Sequence, residues 1–563
     1  MNLNNVENMA YMFSDCHYLK NIELPNIKNN KLNDISNMFE NNYLLEILDI
    51  QKLEINNVIN MKEMFKNCRN IKKLDLSNIN TKNVINMNGL FKNCEKLNEL
   101  NIKNMNTSNV LDMSHMFENL EELNNLNINN FDTKNVKNMS YMFSGLFKLK
   151  ELNINNFDTS NVEDMSYMFS KCQLINKLNL SNFNTMNVKD ANNMFSSCSN
   201  LNDIIISSFN TSNINNMSQM FYGCNNLISL NLINFDTHNV KDMSSMFSNC
   251  INLIELNIKN FNTNKVIDFS NMFNHCHNLT NLDIYNFNTS NAININGMFQ
   301  YCQSLNNLNL SNFDTSKVKY MSYLFNHCIS LKNLDITNFD TNNVEYMNNM
   351  FSNLESITEL NLINFHTPKV KRINNIFQNC YSLKKLNISN FNTKNVISFY
   401  RMFDSCKSLE ILDINNFNTE QVNNFGYMFN NCNSLISIKL NNFNTNNTIY
   451  MYNMFFECNS LTSLNLNNFN TENVENINSM FANCCRLENL DIINLNTNKV
   501  STMSRMFYNC QSLTSLYLPY LDTRNISGIQ DVFESCLNLS LSIDRDAKCP
   551  NLIIPQYVTI IDI

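Results

Sequence analysis

Tryptophan is absent from the 563 residues, and glycine and proline number only 6 and 5. Charged residues are scarce at 16%, against roughly a quarter in ordinary globular chains. The net charge of −8 is spread thinly, with no basic block along the sequence. Phosphate binding calls for clustered Lys and Arg, so the sequence argues against nucleic acid as a partner. No apolar run is long enough for a membrane-spanning helix, which excludes membrane insertion by that route. The first residues, "MNLNNVENMAYMF", carry neither a charged n-region nor an apolar h-region, so no signal peptide is expected. G-x-S-x-G, P-loop and H-E-x-x-H motifs are missing, and the seven His share no common context with Ser, Cys or carboxylates. The chain is therefore expected not to be an enzyme, and nothing in it calls for a cofactor.

What the chain does have is one phrase, repeated. Residues 151–172 read "ELNINNFDTSNVEDMSYMFSKC", and variants of this run fill the sequence. Phenylalanine recurs every 26 residues from Phe13 to Phe533, with no insertion or deletion. By length the chain could hold several domains, but a fixed period of this size signals a stacked array instead. Counting each repeat from its Phe as phase 0, the consensus is F-x-x-C-x-x-L-x-x-L-x-[LI]-x-x-F-[ND]-T-x-x-V-x-x-M-x-x-M. Leu152 and Ile154, two apart, have strand spacing. Val162, Met165, Met168, Phe169 and Cys172 fit one face of a helix, and Asp158 and Thr159 before them are good N-cap types. The expected fold is an α/β solenoid, with a parallel sheet on the concave side and short helices on the convex side. A single repeat buries too little to offset its own ordering, so neighbours must stabilise one another. Residues 1–536 are expected to form one solenoid of about 21 repeats of 26 residues. Residues 537–563 fall out of phase and are expected to cap it.

The individual columns read mostly as architecture. Phase 3 is Cys except at Asn42, Leu120, Leu146 and Leu354. Leucine substitutes mark an interior slot, so these cysteines are expected to be buried free thiols rather than disulfides or ligands. The one His/Cys cluster, His275-Cys276-His277, does not converge on a metal, and no C-x2-4-C pair occurs. Threonine at phase 16 and asparagine at phases 13, 15 and 18 suit capping, turns and backbone hydrogen bonds. Met and Phe at phases 22, 25 and 0 suit core packing.

The run L-x-x-L-x-L, as in Leu149, Leu152 and Ile154, resembles the core of leucine-rich repeats. M-F-x-x-C-x-x-L and "NFDTSNVEDMSYMF" resemble the repeats of BspA-like leucine-rich-repeat proteins, and Pro25 and Pro519 follow their strands as in that family's L-x-L-P pattern. The resemblance implies a surface-exposed or secreted adhesion protein. The missing leader favours the rival reading, an intracellular protein-interaction scaffold. Either would bind a protein or glycan on the concave face. There, outward phases are mostly polar, but Ile205, Ile228, Ile233, Ile254 and Tyr285 form an apolar cluster in four neighbouring repeats, a candidate partner site. Ile493, Tyr517, Pro519 and Tyr520 form a second group, at a place where they could also pack under the tail.

Overall fold

The computed structural model describes residues 5–544 and 548–562. The chain divides into two compact units, one of Met1–Asp268 with Met272–Leu279, the other of Phe269–Asn271 with Thr280–Ile563. Each is a parallel β-solenoid. In the first unit, Lys73–Asp75 pairs with Glu99–Asn101, Lys177–Asn179 with Asp203–Ile205, and Ser229–Asn231 with Glu255–Asn257. Partners lie one repeat apart, as in Leu74 opposite Leu100. The second unit repeats the pattern at Glu359–Asn361 with Lys385–Asn387. It ends in a five-stranded parallel sheet of Ser463–Asn465, Asn489–Asp491, Ser515–Leu518, Ser540–Ile543 and Thr559–Asp562. The last two strands lie in the out-of-phase tail. A second ladder of single bridges follows phase 21, for example Asp164 to Asp190 in the first unit and Tyr320 to Tyr346 in the second.

The expected helices are not there: among the described residues no helix occurs. The segment read as helical forms successive turns instead. Met142 N–H bonds the Met139 carbonyl, and Ser144 N–H the Tyr141 carbonyl, both closing three-residue steps. Alternate N–H groups leave the coil altogether. Those of Met139, Tyr141, Phe143 and Gly145 donate to Asp164, Ser166, Met168 and Ser170 of the next coil at 2.8–3.0 Å. Tyr141 and Gly145 hold φ at 58° and 75°, the left-handed conformation a type II turn requires at its third residue. The same pair recurs in the second unit at Asn375 and Asn379. An α-helix keeps its N–H groups to itself; here half of them tie coil to coil, which is why the turns persist despite non-glycine residues at positive φ.

The proposed caps serve the stack too. Asp158 Oδ1 accepts the Ser160 N–H at 2.9 Å, a local turn rather than a helix start. Thr159 Oγ1 donates to the Asn184 carbonyl at 2.9 Å and accepts the Asn184 N–H at 2.8 Å. One hydroxyl thus satisfies both backbone groups of a residue in the next coil. The asparagines also bond backward: Asn156 Nδ2 reaches the Phe131 carbonyl at 2.7 Å, and Asn161 Nδ2 the Lys134 carbonyl at 2.8 Å.

The core is a set of parallel columns. Phase-0 rings stack face to face, Phe195 on Phe221 at 5.4 Å and Phe221 on Phe247 at 5.9 Å, all fully buried. All 19 cysteines are free, and those at phase 3 are interior except Cys16. Their thiols donate to the preceding coil, as Cys172 does to the Phe143 carbonyl at 3.1 Å. Burial pushes the Cys250 thiol up to about 12, so it stays protonated and unreactive at neutral pH. Asn42 occupies the same slot; its amide donates to the Phe13 and Phe39 carbonyls at 2.8 Å, and its Oδ1 has no partner.

Candidate functional site

Strand alternation sends phases 9 and 11 inward and phases 8, 10 and 12 outward. Along phase 8 the outward side chains pair across neighbouring coils, Lys73 with Glu99 at 2.7 Å and Lys177 with Asp203 at 2.6 Å. Both pairs are largely solvated, so they fix register more than they stabilise.

The candidate apolar cluster falls in both units. In the first, Ile228 and Ile254 are 57% and 45% exposed and sit on adjacent coils, the Ile254 N–H bonding the Ile228 carbonyl at 2.8 Å. Ile205 and Ile233 are half-buried and together line a shallow depression of about 330 Å³, with Asp203, Asn231 and Asn234 supplying polar groups. Tyr285 belongs to the second unit, where it is 54% exposed.

Other outward apolar residues escaped the sequence reading. Ile411 and Ile436 stand out in the second unit, and Ile47 in the first, where it borders a depression shared with Lys73, Asp75 and Glu99. Their signal was available, as apolar residues at phases 7 and 8, and Ile411 and Ile436 fall on adjacent coils. Of the C-terminal group, Tyr517, Tyr520 and Ile493 all remain exposed, and Pro519 and Tyr520 edge a small depression with Asp522 and Arg524.

His275 Nδ1 lies 3.0 Å from His277 Nε2, while Cys276 between them points into the core and donates to the Phe247 carbonyl. Adjacent residues therefore face opposite ways, and the triplet does not converge. Among the described residues no three His, Cys, Asp or Glu side chains are grouped to hold a metal ion. Among the described residues no helix is long and apolar enough to cross a membrane.

No match is found among curated proteins. Solved structures similar to the chain include a leucine-rich repeat protein from Bacteroides ovatus, 14% identical over 90% of this chain and 88% of that one, with a TM-score of 0.27. A leucine-rich repeat protein of Leptospira interrogans is 15% identical over 70% and 91%, with a TM-score of 0.20. An internalin from Listeria monocytogenes is 20% identical over 69% and 86%, also at 0.20. A family model described as "Mycoplasma protein of unknown function, DUF285" matches in overlapping segments, 1–73, 33–150, 60–176, 112–228, 145–254, 224–327, 248–362, 278–385, 355–463 and 436–545. Those segments take in nearly every repeat, and the chain belongs to this DUF285 family.

Proposed function

We propose that the chain is a non-enzymatic binding protein that acts in adhesion or partner contact at a cell surface or after secretion, and takes a protein or glycan on its sheet face. In this reading residues 1–536 work as one binding array and residues 537–563 as its cap. The observation that carries the proposal is the pairing of exposed Ile228 and Ile254 with the depression at Ile205 and Ile233. Exposed isoleucines on adjacent coils cost solubility and gain nothing for the core, which is the usual mark of a surface kept for a partner. The resemblance of the M-F-x-x-C-x-x-L repeats to BspA-like surface proteins supports the location.

The test is a glycan array and a pull-down from host-cell extract with the purified chain, repeated with Ile228→Asp/Ile254→Asp. The variant is expected to lose at least about tenfold in affinity, about 1.4 kcal/mol, for a protein or uncharged glycan that the wild type captures. Its melting profile should be unchanged, since both side chains are solvent-facing. Equal binding by the two proteins would remove the sheet face from the account.

A further inference from the structure

Lysines and arginines that are scattered in the sequence meet on one edge of the second unit. Phases 17–21 of four successive coils bring together Lys317, Lys319, Lys369, Lys371, Arg372 and Lys394, all exposed. The coils are tied directly: the Glu345 N–H bonds the Lys319 carbonyl and the Lys371 N–H the Glu345 carbonyl, each at 2.9 Å, and Asn395 Nδ2 bonds the Pro368 carbonyl at 2.8 Å. At about 4.8 Å per coil the strip is roughly 15 Å long.

Little opposes this charge. Lys371 pairs with Glu345 at 2.6 Å. Lys317 and Lys369 are held by neutral amides, Asn291 at 2.7 Å and Asn343 at 2.6 Å, which fix the ammonium groups without neutralising them. Asp314 and Asp340 flank the strip, each with a carboxylate oxygen turned to a backbone N–H of its own turn, Ser316 and Asn342. The corresponding edge of the first unit is a built-in contrast. There Lys134, Lys137, Lys189 and Lys241 stand beside Glu163, Asp164, Asp190 and Asp242, and Asp132, Asp158 and Asp236 flank them. Phase 21 of the first unit includes Asp164, Asp190 and Asp242, whereas beside the second unit's strip it holds Tyr320, Tyr346 and Arg372. A strongly basic strip on a chain of net charge −8 is a local arrangement, not a bulk property.

We infer that this edge docks a linear anionic polysaccharide, sulfated or bearing uronic acids. Two features favour that class over a single-stranded nucleic acid. Nucleic acid binding of this kind uses free ring faces on which bases stack. Here Tyr320 and Tyr346 cover each other at 5.7 Å and 13°, and the Arg372 guanidinium lies 5.9 Å over Tyr346. The charges also repeat along the edge, Lys317 to Lys369 and Lys319 to Lys371, two coils or about 10 Å apart. That spacing suits one anionic group per disaccharide. The strip lies on other phases than the sheet face, so its ligand is separate from the one proposed above.

The experiment follows the fluorescence anisotropy of a fluorescein-labelled heparin oligosaccharide titrated with the full chain, with labelled oligo-dT as comparison. Saturable heparin binding is expected, weakening steeply as salt is raised. Lys319→Glu/Lys369→Glu/Arg372→Glu should weaken it at least about tenfold, while Lys137→Glu/Lys189→Glu/Lys241→Glu, with the same change in net charge, should leave it within about twofold. Ile228→Asp/Ile254→Asp should bind heparin as the wild type does. If the first triple variant fails to fold by circular dichroism, Lys319→Gln/Lys369→Gln/Arg372→Gln takes its place. Absence of saturable heparin binding, equal losses in the two triple variants, or tighter binding of oligo-dT than of heparin would each overturn the inference.

Discussion

Replacing Phe221 with alanine is expected to destabilise the first unit by about 3–5 kcal/mol. The ring is fully buried and touches like rings on both sides, Phe195 at 5.4 Å and Phe247 at 5.9 Å. Removing it opens a cavity in two coil–coil interfaces at once. Neither neighbour can close the gap, because each coil is held in place by its backbone bonds: Phe221 N–H to the Met246 carbonyl at 2.9 Å and Phe195 N–H to the Met220 carbonyl at 2.9 Å. Stability in such an array is close to a sum over neighbouring interfaces, so the loss should not be diluted by the length of the chain. Urea unfolding read by circular dichroism checks it. A shift equivalent to less than about 1 kcal/mol would mean that the phenylalanine column is filler rather than core.

The second large effect concerns a hydroxyl. Thr237 is fully buried; its Oγ1 donates to the Asn262 carbonyl at 2.9 Å and accepts the Asn262 N–H at 2.7 Å. Valine fills the same space but can do neither. Thr237→Val is expected to cost about 2–4 kcal/mol, because a backbone donor and acceptor between two coils lose their partner together. Thr237→Ser keeps the hydroxyl and should cost about 1 kcal/mol, the value of one methyl. Comparable losses for serine and valine would show that the threonine column matters for its methyl groups and not for the bond between coils.

Much of this was legible in the sequence because the repeat is strict. The phase of Phe, Leu and Cys located the interior, and Leu120, Leu146 and Leu354 in the cysteine column marked those thiols as buried, as all but Cys16 are. The helix was a misreading of the same regularity. Val162, Met165 and Met168 are three apart, as are Phe169, Cys172 and Ile175. A helix of 3.6 residues per turn drifts and alternates steps of three and four. Steps held at three point instead to turns that advance one side chain inward each time. The helix template tolerates such runs over a short window, and the left-handed residues are mostly Asn, Tyr, Ser, His and other non-glycine types, with Gly at only four of them, so no glycine marked them. Threonine was read as a cap, since a cap and a clamp between coils demand the same hydroxyl before the same turn. The basic strip was invisible for a different reason. Lys319 and Lys371 are two repeats apart in sequence, and only the register of the coils lines them up along one edge, either side of Glu345.

The central claim is that the outer half of each coil is built of left-handed turns bonded to the next coil. Ser197 tests it, with φ at 61°, its N–H bonded to the Tyr222 carbonyl and its side chain half-buried. The decisive measurement is the difference in unfolding free energy between Ser197→Gly and Ser197→Ala. The turn predicts that glycine is the more stable by about 1 kcal/mol, since only alanine carries a Cβ into the left-handed region. A helix at this position would reverse the order, with alanine ahead by about 1 kcal/mol, and that result would contradict the account.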